Sequence, residues 1–558
     1  MLKNIQLKNY KAYQEAKLEL KPITILLGTN SSGKTSLLQL ILMIEQTINN
    51  ETSYKSALKL NGKNVSLGET ENIFRNKNTN EKLSFSFGIE SSKISFHLHS
   101  LRRLKSQIES EITDIYLELR QLVQLNNSNK KNTNYGYSDF KIEDVKSLVL
   151  EIKKLKRKFS KINFEKLEPF NEYKGKTLLK NKFLKITKDY QNLLVIDINQ
   201  MFETYKLVKS ISNEKSRQIT LSYEIGFSSK TSLLEIQKIA IKSNNKILIE
   251  FKIQTNKGQK KFLLSSDVFD DKILSKYRVR FGKNIHFDKF NLKSNSEKDN
   301  KYPRISGNKI ENEFFCSYLV RIFNSFTYNL KITFDNERIN YVSPLRAYPK
   351  RYYFLDESNV SNSLDSIDGD SLTKILKQDT NIINSVNKWL NNFGLAVDVE
   401  DVKEVIHRLK VKQNGLNLDI TDVGFGISQV LPIIVQGFLS KKDSLTIIEQ
   451  PEIHLHPKMQ AELADLFIDV VKDDNKNSDK VLLIETHSES ILKRLRRRIA
   501  EKEISNNDVA IYFIHGKNKI NHSATIERLE ITETGAFNWP KEFYSTDLED
   551  TKEYLKHQ

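Results

Sequence analysis

The stretch "GTNSSGKT" places Gly28, Gly33, Lys34 and Thr35 in the spacing G-x-x-x-x-G-K-[ST]. A buried-strand run, "ITILL", precedes it and a helical pattern follows, the context this spacing needs to hold phosphate. Backbone N–H groups of Gly28, Asn30, Ser31, Ser32, Gly33, Lys34, Thr35 and Ser36 would point at phosphate oxygens. The Lys34 ammonium would neutralise the outer phosphates, and the Thr35 hydroxyl would offer itself to Mg²⁺. The glycines let the backbone approach without a Cβ in the way. Such a site also needs an acid at the end of another buried strand. "SLTIIEQPE" supplies Glu449, a ligand for Mg²⁺ directly or through water. The next residue is Gln450, where an acid able to take a proton would be expected. A glutamine orients water but is no general base. Glu452 stands in for it if the strand ends at Glu449 and a turn brings the chain back.

Two further groups fit the same chemistry. "IETHSES" ends a buried run and sets His487 at a strand terminus, within reach of a terminal phosphate or an attacking water. "DVGFGISQVLP" carries Gly424, Gly426, Ser428 and Gln429 before a helical run. That segment reads either as an anion-binding turn or as a plain helix start capped by Ser428. "HLHP" has no second pair of ligands, so a metal other than Mg²⁺ finds no support there. In "LKRLRRRIA", Lys493, Arg494, Arg496, Arg497 and Arg498 would touch nucleic-acid phosphates or form the solvated face of a helix.

The elements that position these groups lie at both ends of the chain. "NIQLKNY", "AKLEL" and "ITILL" are strand-like near the start; "SLTIIE", "KVLLIET" and "VAIYFI" are strand-like near the end. Lys34 and Glu449 meet only if the two ends build one α/β layer, with the middle inserted between them. In that middle, apolar residues recur at Leu101, Leu104, Ile108, Ile112, Ile115, Leu119 and Leu122, and again from Val145 to Ile162. With a polar segment between, this spacing gives an antiparallel coiled-coil hairpin of roughly 30 Å, or two ordinary amphipathic helices. "RQITLSYEIGF" and "KILIEFKIQT" mark a β-rich stretch, and Asn291 to Lys309 reads as an exposed linker. The expected division is 1–95 (first half of the phosphate-binding layer), 96–190 (helical hairpin), 191–335 (β-rich and linker) and 336–558 (second half of that layer).

Composition bounds the rest. The 558 residues are 38% hydrophobic and 28% charged, too many for one core and right for a folded soluble chain. No apolar run approaches the length needed to span a bilayer, and "MLKNIQLKNY" has no apolar core of a secretory signal. The one cysteine, Cys316, excludes an intrachain disulfide, fits a reducing compartment and, within "FFCSYLV", reads as a core residue. A cytoplasmic location is expected. The net charge of +18 favours an anionic partner, nucleic acid first, unless it is only lysine spread over the surface.

The order of the motifs resembles ABC-type ATPases of the Rad50, SMC and OLD branch. That resemblance implies an α/β ABC-type ATPase head assembled from both chain ends; with the middle as read above, the expected fold carries an inserted helical coiled-coil hairpin and a β-rich middle region. It implies ATP and Mg²⁺ as ligands, and two heads that sandwich the nucleotide. Lys34 and Thr35 match its Walker A loop, Glu449 the Walker B acid, Gly424 to Gln429 the signature loop and His487 the switch histidine. Gly424 stands where a typical signature has serine. A narrower likeness, in "SPLRAYPKRYYF", "EQPEIHLHPKMQAELADLF" and "ETGAFNWPKEF", is to bacterial AAA-family ATPases with a C-terminal DUF3696 region. Some of these are similar to the PtuA ATPase of Septu anti-phage systems, including retron-associated ones. It implies self-association, a partner nuclease of HNH type, and contact with DNA or with a retron RNA–DNA and its reverse transcriptase. Against it stands an ATP-locked scaffold with negligible turnover, or a DNA-maintenance ATPase. No strand-linked acidic cluster of a Toprim nuclease follows His487.

Overall fold

The computed structural model describes residues 1–50, 56–90, 102–120 except 104 and 118, 144–159, 198–212, 218–256 except 245, and 259–268. It further describes residue 274 and residues 285–294, 314–354 except 336, 369–472, 480–517, 522–540 and 550–557. The chain forms two compact units: Met1–Glu90, Thr220–Gln237 and Asn329–Gln558 make one, Ser91–Ile219 and Lys238–Tyr328 the other.

Along the chain the elements begin with β1 (Leu2–Tyr10), β2 (Tyr13–Glu19), β3 (Ile23–Gly28), α1 (Lys34–Ile48) and β4 (Leu83–Glu90). Next come α2 (Val145–Phe159), α3 (Ile198–Ser212), β5 (Gln218–Ser228), β6 (Leu233–Ser243), β7 (Lys246–Asn256) and β8 (Gln259–Ser265). Then follow β9 (Ile285–Asp288), β10 (Asn291–Ser294), α4 (Phe314–Thr333), β11 (Ile339–Val342), β12 (Tyr353–Phe354), α5 (Asp370–Gln378) and α6 (Thr380–Leu390). The last third holds β13 (Leu395–Lys403), β14 (Ile406–Gln413), β15 (Leu416–Asp419), α7 (Phe425–Leu439), β16 (Leu445–Glu449) and α8 (Pro457–Lys472). It ends with β17 (Val481–Glu485), α9 (Glu489–Ala500), β18 (Val509–His515) and β19 (Thr525–Leu529).

In the first unit the two chain ends do share one sheet, in the order β11-β16-β17-β3-β18-β19. β3 lies between β17 and β18 and runs parallel to both; β16 is parallel to β17, and β19 closes the edge antiparallel to β18. Every residue of β3, β16 and β17 is buried, which is why they are written as continuous apolar runs. Ile23, Ile25 and Leu27 join one hydrophobic core with residues of α7, α8 and α9. The C-terminal ends of β3, β16 and β17 therefore face the same edge, where parallel α/β sheets place ligands. A second sheet runs β2-β1-β4-β5-β6, and a third pairs β12 and β13 with β14, with β15 also on β14.

In the second unit the latter part of β6 pairs with β7, and β7 with β8. Residues 105–117 are helical, with Ile108, Ile112 and Ile115 buried, and α2 buries Val145, Leu148, Val149 and Ile152 while packing on α3. The connection that would fold the two expected helices back as a hairpin falls on 121–143, outside the described residues. One expectation is corrected: Asn291 to Lys309 does not begin as an exposed linker. Asn291–Ser294 is β10, a hairpin partner of β9, because Leu292 is fully buried and its backbone is held by the Asn324 side chain. Residues 295–309 lie outside the described residues. Cys316 falls within α4. Among the described residues no helix is long and apolar enough to cross a membrane.

Candidate active site

The phosphate loop joins β3 to α1. Gly28 has φ +149, and a Cβ there would lie 2.5 Å from the Ile514 carbonyl oxygen and 2.8 Å from Ser32 Oγ. Gly33 caps α1 with φ +116, against the Tyr13 hydroxyl, which donates to the Gly33 carbonyl at 3.0 Å. Ser31 also takes a left-handed φ of +61, so the chain turns tightly over Thr29, Asn30 and Ser31, all exposed. Ser36 donates its N–H back to Gly33. α1 has no acidic residue in its first turn, which leaves the positive end of its dipole for an external anion. The buried Ser32 Oγ has no hydrogen-bond partner among the described residues, an acceptor and donor ready for a ligand oxygen.

Lys34 is only 4% exposed. Its ammonium donates to the carbonyls of Gly28 (3.0 Å) and Thr29 (2.9 Å) and lies 3.7 Å from Glu485 Oε1. Burial pulls its pKa down, while the carboxylates of Glu485 and Glu452 oppose that. Thr35 donates its hydroxyl to Glu485 Oε2 at 3.4 Å. Glu485 ends β17 in register with Glu449 at the end of β16, so the two carboxylates sit side by side. Glu449, 6% exposed, accepts from the Tyr341 hydroxyl at 2.9 Å. Burial and the Glu485 charge push Glu449 up to about 7. Glu485 is raised for the same first reason, with Lys34 pulling the other way.

β16 ends at Glu449, and Gln450 turns the chain with φ +45. The Gln450 N–H donates to the Glu485 carbonyl at 2.8 Å. Arg346 clamps the turn: its Nη2 donates to the carbonyls of Glu449 (2.9 Å) and Gln450 (3.1 Å). Arg346 is 6% exposed, and burial lowers its pKa to about 10, so it stays charged at neutral pH. The turn brings Glu452 to the end of β17. There Glu452 Oε2 accepts from the Thr486 hydroxyl and Oε1 from the His487 N–H, both at 2.7 Å. His487 is half-buried; burial, then Lys34, lower its pKa and keep its imidazole neutral. Its Nε2 has no partner among the described residues.

The sheet thus brings Lys34, Thr35, Glu449, Glu452 and His487 together, with Gln450 in the turn between Glu449 and Glu452. The Gly424–Gln429 segment meets different neighbours. Gly424 is the N-cap of α7, so Ser428 is not the cap but lies buried inside the helix, and Gln429 is buried beside it. A Cβ on Gly426 would come 2.9 Å from the His454 carbonyl oxygen, so α7 starts hard against the turn after β16. The other candidates make contacts within the chain. His456 Nδ1 accepts the Lys458 N–H at the start of α8, and no group of three or more His, Cys, Asp or Glu side chains is placed to hold a metal among the described residues. On α9, Lys493, Arg494, Arg497 and Arg498 pair with Glu489, Glu462, Asp465 and Glu501. Arg496 donates to the Gly535 carbonyl and lies over Phe537 and Trp539.

Sequence reasoning missed Glu485, Arg346 and Tyr341. Glu485 had a signal, since it is a second acid closing a buried strand in "VLLIE". Arg346 sits in the quoted "SPLRAYPKRYYF", but nothing there marks it as buried. Tyr341 had none. For Mg²⁺ the donor set fits: two buried carboxylates and a hydroxyl at one sheet edge are hard oxygen ligands.

The family model for an AAA ATPase domain matches residues 1–492. No curated protein matches. Among solved structures, an SMC head domain from Thermotoga maritima aligns at 8% identity over 95% of this chain and 99% of that one, with a TM-score of 0.32. An Smc head domain with an extended coiled coil bound to the C-terminal domain of ScpA, derived from Pyrococcus furiosus, aligns at 8% identity over 100% and 98%, with a TM-score of 0.30. The family match carries the assignment: this chain belongs to the AAA ATPase domain family.

Proposed function

We propose that this chain binds ATP with Mg²⁺ and hydrolyses it slowly, as a nucleotide-controlled switch. The convergence of Lys34, Thr35, Glu449, Glu452 and His487 at one sheet edge, from both chain ends, carries the reading. The loop N–H groups and Lys34 bind the phosphates. Thr35 and Glu449 would hold Mg²⁺, which supplies positive charge against the phosphate oxygens. Glu452 has both carboxylate oxygens fixed by neutral donors, which orients it to accept the proton of an attacking water. Neutral His487 is placed to hydrogen-bond the terminal phosphate or that water. Gln450 orients water without accepting a proton, which makes turnover slow.

Phosphate release from wild type, Lys34→Ala and Glu452→Gln tests this. Wild type should release phosphate measurably, Lys34→Ala should not, and Glu452→Gln should fall by about 10² to 10⁴. Equal release from wild type and Lys34→Ala would leave the ATP-locked scaffold as the better reading.

The resemblance of "EQPEIHLHP" and "ETGAFNWPKEF" to the Septu-like ATPases supports placing the switch in anti-phage defence, controlling a partner nuclease of HNH type. The +18 charge supports DNA engagement. Co-purification with a candidate HNH nuclease, and its release or retention with ATP, is the test of that role.

A further inference from the structure

We propose that Glu485 is a metal-positioning acid of this site, sharing a divalent cation with Thr35 and Glu449. The inference rests on the nucleotide-site reading above and adds a residue to it.

The sheet order is the first argument. β17 lies between the phosphate-loop strand β3 and the Glu449 strand β16, so Glu485 stands one strand nearer to Thr35 than Glu449 does. The contacts are the second. Glu485 Oε2 already takes the Thr35 hydroxyl, and Oε1 faces Lys34 Nζ at 3.7 Å. Glu449 gives one oxygen to Tyr341. A cation that reaches the Thr35 hydroxyl therefore meets Glu485 as well as Glu449.

Charge is the third argument. Glu485 and Glu452 both act on Lys34, Glu449 lies beside Glu485, and the buried Arg346 holds the turn between Glu449 and Glu452. Two of these carboxylates, Glu449 and Glu485, are adjacent, and both are almost fully out of water. Buried like charges are costly unless a counter-charge joins them. A divalent cation supplies it. Without the cation, Glu485 repels an incoming triphosphate and keeps hold of Lys34. With it, the same carboxylate helps attract the triphosphate. One residue thus makes binding depend on the metal.

Glu485→Gln removes the charge and keeps the shape. Binding of a fluorescent ATP analogue to the full chain is measured in EDTA and in saturating Mg²⁺, with Mn²⁺ retained on the protein followed in parallel by electron paramagnetic resonance. Relative to wild type, Glu485→Gln should bind the analogue severalfold tighter in EDTA and about tenfold weaker in Mg²⁺, and should retain less Mn²⁺. A shift in the same direction under both conditions overturns the proposal. Weakening in both means a structural residue, and tightening in both means a simple competitor for Lys34. Should Glu485→Gln fail to fold, Glu485→Asp carries the test: it keeps the charge, so it should still need Mg²⁺ but half-saturate at a higher concentration. An unchanged Mg²⁺ requirement in Glu485→Asp overturns it equally. If wild type and Lys34→Ala bind the analogue alike, the nucleotide-site reading itself falls; if they differ, only the role of Glu485 is being judged.

Discussion

Gln450 follows Glu449 where a second acid is expected, and the backbone turns at that residue. With φ +45 and its carbonyl held by Arg346, the chain reverses just after Glu449 and delivers Glu452 to the end of β17. The alternative left open on the sequence, that a turn returns Glu452, depends on a left-handed residue and a buried arginine that no local pattern announces. Arg346 matters here for its rigid frame: the planar guanidinium holds one nitrogen against two carbonyls, whereas a lysine ammonium would have to be placed there by a flexible four-carbon stem. Arg346→Lys should therefore keep nucleotide binding within about threefold and lower phosphate release by about tenfold or more, read from steady-state assays. Equal loss of binding would place Arg346 in folding instead. A pH effect also belongs at this scale. Glu449 is raised from 4.5 to about 7, so the folded state keeps a proton that the unfolded chain has released. The sign follows: that extra stability is full below pH about 4.5 and is lost as pH rises towards 7. In EDTA the thermal midpoint should fall across that window, by a share worth at most about 3 kcal/mol. Glu449→Gln should flatten the slope.

At the scale of elements, much was legible because fully buried parallel strands must be written as apolar runs. β3, β16, β17 and β18 were visible for that reason, and so was the phosphate loop between β3 and α1. Their order was not legible. Nothing in the one-dimensional pattern says that β17 lies between β3 and β16, and that order is what sets Glu485 against Thr35. β10 was hidden for another reason: its four residues precede a polar run, and only pairing with β9 and the burial of Leu292 give it away. Helix starts were partly legible. α7 starts at Gly424 and not at the Ser428 cap that one reading offered, while Ser488, which no reading singled out, caps α9 by accepting the Ile491 N–H. The glycine at 426 has a packing reason, since α7 meets the His454 carbonyl there. Gly426→Ala must push that contact apart, and should lower stability by about 1 to 3 kcal/mol in denaturant unfolding. A neutral outcome would mean that the turn after β16 yields freely.

For the whole molecule, the two chain ends are joined by the β3–β17 and β3–β18 ladders, so the nucleotide site exists only when the first and last parts of the chain fold together. The Lys34 ammonium makes its hydrogen bonds and ion pair with the loop itself and with β17. The start of α7 instead meets the His454 carbonyl at Gly426. Under the proposed switch, a glycine-led helix start that does not serve the phosphate loop of its own chain would serve that of a second copy, as the ABC resemblance implies. Binding alone would then draw two heads together, and hydrolysis would release them. Glu452→Gln, which binds ATP but turns over slowly, should double in mass with ATP and Mg²⁺ by light scattering. Lys34→Ala should not change. Replacing Gly424 by a bulky residue such as tryptophan should block the doubling while leaving nucleotide binding by the single head intact, because a side chain at Gly424 meets open space in this chain. If Glu452→Gln keeps one mass with and without nucleotide, while still binding it, the switch works within a single head, and the turn at Gly424 is only the start of a buried helix.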